Sequence, residues 1–178
     1  FFREMKECDV SLPVVERGLN PVAEGCYTSQ IRVKQKHRLL ENELYSGEKM
    51  ASAAALLYGK EYPVEAFEQA KTAPLFSEFH DALPGSGSQP VEEDTLRLLD
   101  FGLEIVSREK MKSAIALTAG EEKITDGSSC AFLYNPHPYP ITGQFAFEVG
   151  LPKQNWENVF FYPSAQCNGE AVPTQGEM

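Results

Sequence analysis

No stretch of this 178-residue chain approaches the roughly 20 consecutive apolar residues that a membrane-spanning helix needs. The opening Phe1-Phe2-Arg3-Glu4 is too short and too polar for a signal peptide. Positive charge is scarce: 16 Lys and Arg stand against 26 Asp and Glu, and no basic cluster follows the short stretch from Arg32 to Arg38. The net charge of -10 repels phosphates, which excludes nucleic acid as a partner. The four cysteines, Cys8, Cys26, Cys130 and Cys167, lack any C-x-x-C spacing, which argues against a structural zinc knot and a dithiol redox motif. They read as buried or free thiols in a reducing, cytoplasmic setting, with a disulfide between two of them left open. There is no internal repeat and no initiating Met, and Gln175-Gly176-Glu177-Met178 carries no helix cap or strand-closing turn. The expectation is a piece of a longer polypeptide.

What is present is enough apolar residue, 42%, to bury a core, arranged in two grammars. Residues 1–28, with Pro13, Gly18, Pro21 and Gly25, read as a connector of loops and short strands. Ser29 stands at an N-cap, and Val33, His37, Leu40, Leu44, Gly47, Ala51, Ala54 and Tyr58 then recur at spacings of four and three, which predicts one helix face closed by Gly59. A second helix starts at Pro63 and runs through Phe67, Ala70, Leu75 and Phe79 towards His80, with a kink or break expected at Pro74. After the turn Leu83-Pro84-Gly85-Ser86-Gly87-Ser88, a third helix carries Leu96, Leu99, Leu103, Val106, Ala114 and Leu117 as its stripe and ends by Gly120. Short connections make these an antiparallel three-helix bundle over residues 29–120. From 121 to 178 the pattern changes to Ala131-Phe132-Leu133-Tyr134, the alternation of Phe145, Phe147 and Val149, and Val159-Phe160-Phe161-Tyr162, which read as strands. The predicted fold is therefore α+β, a helix bundle followed by the first strands of a truncated antiparallel β-sandwich whose partner strands lie elsewhere.

The dipeptide His80-Asp81 concentrates the chemistry: an imidazole for a metal or a proton, beside a carboxylate that accepts hydrogen bonds from hydroxyls. Standing alone, such a histidine is more often a charge partner at a helix C-terminus. No second His or carboxylate falls at a ligand spacing such as H-x-x-x-H in that segment, so a metal here has to be shared with other parts of the polypeptide.

Phe79-His80-Asp81-Ala82-Leu83-Pro84-Gly85-Ser86 resembles the F-H-D-[AI]-[LI]-P-G-[ST] segment of the glycoside hydrolase family 38 α-mannosidases. Gly25-Cys26-Tyr27-Thr28-Ser29 is similar to that family's G-x-Y-T-S, and Lys34, Arg38, Glu41, Leu44 and Glu48 fall on its K-x-x-x-R-x-x-E-x-x-L-x-x-x-E helix. Leu133-Tyr134-Asn135-Pro136-His137-Pro138-Tyr139 and Gly169-Glu170-Ala171-Val172-Pro173-Thr174-Gln175 resemble the opening and a later segment of its β-domain. The motifs occur in the family's order and cover most of the chain.

The resemblance implies part of a retaining, zinc-dependent α-mannosidase that hydrolyses terminal α-mannosidic bonds in oligosaccharides. It implies that His80 is a zinc ligand and that Asp81 contacts a mannose hydroxyl. It also implies that the nucleophile, the general acid and the other zinc ligands belong to an N-terminal catalytic β/α domain of the same polypeptide, outside this chain. No residue here is assigned as catalytic, and the chain alone is expected to be inactive and to bind zinc poorly. Its partners are then that catalytic domain and a mannose-containing oligosaccharide, with neither nucleic acid nor membrane. The sequence departs from the family pattern at Lys71, where a Trp is usual, at Pro74, and at His37, where Asn is common.

Other candidates have simpler readings. His37 is a helix-face residue, and His137 sits in a Pro-rich turn. Glu41 and Glu48 belong to a solvated or ion-paired surface, Tyr27, Thr28 and Ser29 anchor the first long helix, and Phe160, Phe161 and Tyr162 are strand aromatics. The competing reading of the chain is a non-catalytic helical interaction module joined to a carbohydrate-binding β-domain.

Overall fold

The structure is a computed structural model that describes residues 1–8, 11, 13–16, 18, 24–121, 128–150 and 163–175. Its elements are α1 (Phe2–Glu7), a 3-10 helix (Glu24–Thr28), α2 (Ile31–Tyr58), α3 (Val64–Ser77), α4 (Gln89–Thr118), β1 (Ala165–Cys167) and β2 (Glu170–Val172). Three long helices pack together and a short antiparallel sheet follows, so the fold is α+β, as expected. The described residues divide into two compact units, one from residues 1–45 and 63–108, the other from 46–62 and 109–178.

In the first unit the front half of α2, all of α3 and the front of α4 share a core of Val33, Leu40, Phe67, Ala70, Ala73, Leu99, Ile105 and Val106. Each large apolar side chain fully buried there contributes about 1.5–3 kcal/mol before its entropy cost. The pairings give the directions. Arg32 reaches Glu92 at 2.9 Å and Lys36 reaches Asp100 at 2.6 Å, so α2 and α4 run the same way, while His37 meets Glu78 at the far end of α3, which returns between them. The three helices approach closely at Gly102: a Cβ there would stand 2.7 Å from Leu40 Cδ2, and 3.2 Å from both the Ala70 carbonyl and Ala73 Cβ. The Ala70 carbonyl is also the one that Pro74, lacking an N–H, cannot satisfy. Glycine at 102 therefore lets α4 approach α3 where the proline has bared its backbone.

Helix α3 does not break at Pro74; it runs three residues further to Ser77. The Pro74 carbonyl accepts from the Ser77 hydroxyl at 2.8 Å and from the Glu78 amide at 3.1 Å, which closes the final turn. The stripe expected on α2 is buried at Val33, His37, Leu40, Leu44, Gly47, Ala51 and Ala54, whereas Tyr58 is 54% exposed. Gly59, at φ +67°, stops α2 as expected, with its amide on Ala55 O and that of Lys60 on Ala54 O. On α4 the buried face differs from the apolar stripe. It follows Thr95, Leu99, Gly102, Ile105, Val106, Glu109 and Ser113, and leaves Leu96, Leu103, Ala114 and Leu117 only partly covered. Within the second unit Glu109 is buried against Lys112 at 2.7 Å, and its carbonyl accepts from the Ser113 hydroxyl.

The connector does not follow its expected loop-and-strand character at either described end. Residues 2–7 form α1, because the helix-breaking Gly and Pro residues all lie beyond it and Phe-Arg-Glu-Met-Lys-Glu has ordinary helix propensity. Glu24–Thr28 is a 3-10 turn tied by the Thr28 hydroxyl to Gly25 O at 2.7 Å.

In the second unit the strands expected at 131–134 and 144–149 carry no regular structure, and Phe145, Phe147 and Val149 are each exposed. Alternation defines a face, but a ladder needs a neighbour to receive its hydrogen bonds. The strand expected at Val159–Tyr162 lies outside the described residues. The sheet that does form among the described residues pairs Ala165 with Val172 and Cys167 with Glu170, around Asn168 (φ +52°) and Gly169 (φ +82°). That two-residue Asn-Gly connection is the favoured hairpin turn. The four cysteines carry no disulfide, and Cys8, Cys130 and Cys167 are exposed rather than buried.

Candidate functional site

His80 and Asp81 lie in the first unit, in the turn between the end of α3 and the start of α4. The end of α3 forces this turn: Phe79 N bonds Phe76 O, Ala82 N bonds Phe79 O and Leu83 N also reaches Phe79 O. The small Ala82 is buried and holds the turn down, whereas the side chains of His80 and Asp81 are 78% and 59% exposed. His80 Nε2 stands 3.3 Å from Asp81 Oδ2, and the Phe79 ring lies 4.2 Å from the imidazole, tilted by 48°. Asp81 Oδ1 receives a long bond from the Ser86 hydroxyl at 3.4 Å.

The loop behind this pair is pinned to the start of α2. Ser29 Oγ lies 2.8 Å from Cys26 O, 3.0 Å from Gly85 O and 3.3 Å from Pro84 O, so its single proton is shared among three carbonyls. Gln30 Nε2 donates to Gly87 O at 2.8 Å. Lys34 Nζ donates to Ser29 O and, at 3.4 Å, to Cys26 O. Burial lowers the Lys34 ammonium from its ordinary pKa, against the opposing pull of Cys26 and Glu92. Gly85 is at φ +81°, and a Cβ there would come 2.3 Å from Ser29 Oγ and 2.8 Å from Ser29 O. Only glycine fits that place.

Ser29 is thus an anchor for the loop rather than the N-cap expected of it. Gln30, at φ +45°, intervenes before Ile31, and the Val33 amide bonds Gln30 O to open the helix. Tyr27, Thr28 and Ser29 are legible in the sequence as an anchor for α2, but the part of Gln30 is not, because its residue type does not announce a carbonyl 57 residues away, and Lys34 joins through the nearby Ser29 and Cys26 carbonyls.

A cleft of about 560 Å³ opens beside α2, lined by Tyr27, Lys34, Gln35, His37, Arg38, Glu41 and Leu83. His80 and Asp81 do not line it. On its wall His37 is not a plain helix-face residue: its side chain is 9% exposed, with Nδ1 3.4 Å from Glu41 Oε2 and Nε2 3.2 Å from Glu78 Oε1. Glu41 is ion-paired, as expected, with Arg38 Nη1 at 2.9 Å. In the second unit, Asn135 builds the Pro-rich turn: its Oδ1 accepts from the His137 amide at 2.9 Å and its Nδ2 donates to Tyr139 O at 2.7 Å. The His137 and Tyr139 rings stack at 5.1 Å, and Lys49 Nζ donates to Pro136 O.

As a metal centre the His80 turn is partial. It offers one accessible imidazole and one adjacent carboxylate, which suits zinc chemistry but falls short of the three or four protein ligands such an ion takes. No helix among the described residues is long and apolar enough to cross a membrane.

Comparison with known proteins agrees with the motifs. The family model for the alpha mannosidase middle domain matches residues 23–116, from the 3-10 turn through nearly the whole of α4. Alpha-mannosidase G of Dictyostelium discoideum is 38% identical over 79 residues, which are 42% of this chain and 7% of that protein. The chain thus spans a small part of the length of the curated relative it matches. No solved structure matches it. With more than half of its residues on the family model, and with the loop motif placed where α3 turns into α4, the chain belongs to the α-mannosidase middle-domain family of glycoside hydrolase family 38.

Proposed function

We propose that this chain is the middle part of a retaining, zinc-dependent α-mannosidase acting on terminal α-mannosidic bonds in oligosaccharides. Residues 1–28 lead in from a catalytic β/α domain, 29–120 form the middle domain, and 121–178 begin a β-domain. One observation carries the reading: an adjacent His80 and Asp81 stay exposed on a turn that is otherwise bound down by Ala82, Ser29 and Gln30. A structural histidine at a helix end gains from burial or a helix carbonyl. This one is held outward beside a carboxylate.

In this reading His80 supplies one nitrogen ligand, and the remaining ligands, the nucleophile and the general acid come from the catalytic domain. Zinc bound there would supply Lewis-acid affinity for sugar hydroxyls. Asp81 accepts a hydrogen bond from a mannose hydroxyl, and the Ser86 hydroxyl on Oδ1 helps to hold the carboxylate. The pinned loop fixes His80 and Asp81 relative to each other, so little ordering is left to be done when the substrate binds. The chain alone then lacks the groups that attack C1 and protonate the leaving oxygen, and is inactive. A cytoplasmic setting accords with the four unbridged thiols.

The test is an assay of the isolated chain against an aryl α-mannoside with added Zn2+, beside the complete polypeptide. Turnover by the complete protein alone is the expected result. Turnover by the isolated chain would overturn the assignment of the catalytic groups to another domain.

A further inference from the structure

We propose that His37, Glu41 and Glu78 form a site for a divalent transition metal between α2 and the end of α3, separate from His80. His37 and Glu41 are one helical turn apart on α2, the spacing at which two side chains can chelate one ion, and Glu78 reaches them from the residue that caps α3. One donor atom from each lies within 4.8 Å of the other two. Ligands on one zinc-sized ion, bonded at roughly 2.0–2.2 Å, stand up to about 4 Å apart, so a small rotation completes the set. The two glutamates can make it, being 38% and 47% exposed, while the imidazole between them is held by burial.

Two features suit this point to a metal ion. His37 has a carboxylate oxygen at each ring nitrogen, and a neutral imidazole, with one N–H and one lone pair, donates to only one of them, which leaves the other nitrogen open to a metal. In addition Glu41 Oε2, the oxygen beside Nδ1, is buried and accepts no hydrogen bond; Arg38 pairs with it by charge and distance alone. A metal on one nitrogen answers both. Lys34 and Arg38 line the cleft from the same helix as His37 and Glu41, and Arg38, 72% exposed, can leave at small cost because a solvated ion pair contributes little. The cleft, whose wall includes His37 and Glu41, gives the ion its route and room for water in the open positions. One nitrogen with two carboxylate oxygens suits Zn2+, Co2+ or Ni2+ better than Mg2+ or Ca2+. The expectation that zinc binds poorly then applies to His80 and not to the whole chain.

Calorimetric titration of the 178-residue chain with ZnCl2, with Co2+ absorption as a second readout, tests the site. One saturable equivalent is expected, weakened at least about tenfold in His37→Asn and in Glu78→Gln and retained in His80→Ala. Circular dichroism of each metal-free variant checks folding, and Glu78→Gln, on a half-exposed side chain, serves if His37→Asn does not fold. Absence of saturable binding overturns the proposal. So does binding that survives Glu78→Gln in a folded chain, or that disappears in His80→Ala.

Discussion

The Ser29 hydroxyl lies 3.0 Å from the Gly85 carbonyl, across 56 residues of sequence, and ties the turn bearing His80 and Asp81 to the start of α2. Ser29→Ala leaves the Gly85 and Pro84 carbonyls without this donor. It should cost about 0.5–1.5 kcal/mol of stability. Hydrogen exchange should quicken from Ala82 to Gly87 well before it does at Leu99. Uniform loss of protection along the chain would show that the bond has no local role.

Gly85→Ala meets two obstacles at once, a φ of +81° and a Cβ 2.3 Å from Ser29 Oγ. A cost of about 1–3 kcal/mol is expected for the backbone conformation alone. Urea unfolding of Gly85→Ala, Ser29→Ala and the double variant, read as a double-mutant cycle, separates the causes. The two substitutions should cost less together than the sum of their separate costs, because the overlap with the hydroxyl is relieved while the conformational cost and the approach to Ser29 O remain. A single variant as stable as the parent would contradict the geometry.

At the helix crossing, Gly102→Val inserts carbon where a Cβ already comes 2.7 Å from Leu40 Cδ2 and 3.2 Å from the Ala70 carbonyl. Overpacking of this kind destabilises by about 1–3 kcal/mol, read as a lower urea midpoint at unchanged slope. An unchanged midpoint would mean that α3 and α4 stand further apart than described.

The Asn168-Gly169 turn gives a prediction confined to the second unit. Gly169 sits at φ +82°, so Gly169→Ala should abolish the cross-strand contacts between Ala165 and Val172, followed by nuclear Overhauser effects, while far-ultraviolet helix signal is unchanged. Persistent cross-strand contacts would sink it.

These residues also show what the sequence reveals and why it stops. The α2 face was legible because a 28-residue helix repeats its period many times, so one exception, Tyr58, does not hide it. On α4 the same logic misplaces the stripe: Gly102 is buried for lack of a side chain, and Glu109 is buried with a lysine partner, and hydropathy registers neither. The Asn-Gly hairpin is a short signal beside the longer aromatic runs upstream, and a run without a neighbour forms no ladder. At the candidate site, the motif around His80-Asp81 marks the pair in the sequence. The approach of Glu78 to His37 depends on how α3 packs, and no local pattern encodes that.

In the proposed function His80 supplies a metal ligand to an active site completed by another part of the polypeptide. The most direct measurement is zinc content together with aryl α-mannoside turnover of the complete polypeptide carrying His80→Ala, with His37→Asn alongside. His80→Ala is expected to lose the active-site zinc and the turnover together, while a folded His37→Asn enzyme keeps its turnover. A His80→Ala enzyme that retains both zinc at this centre and mannosidase activity would contradict it.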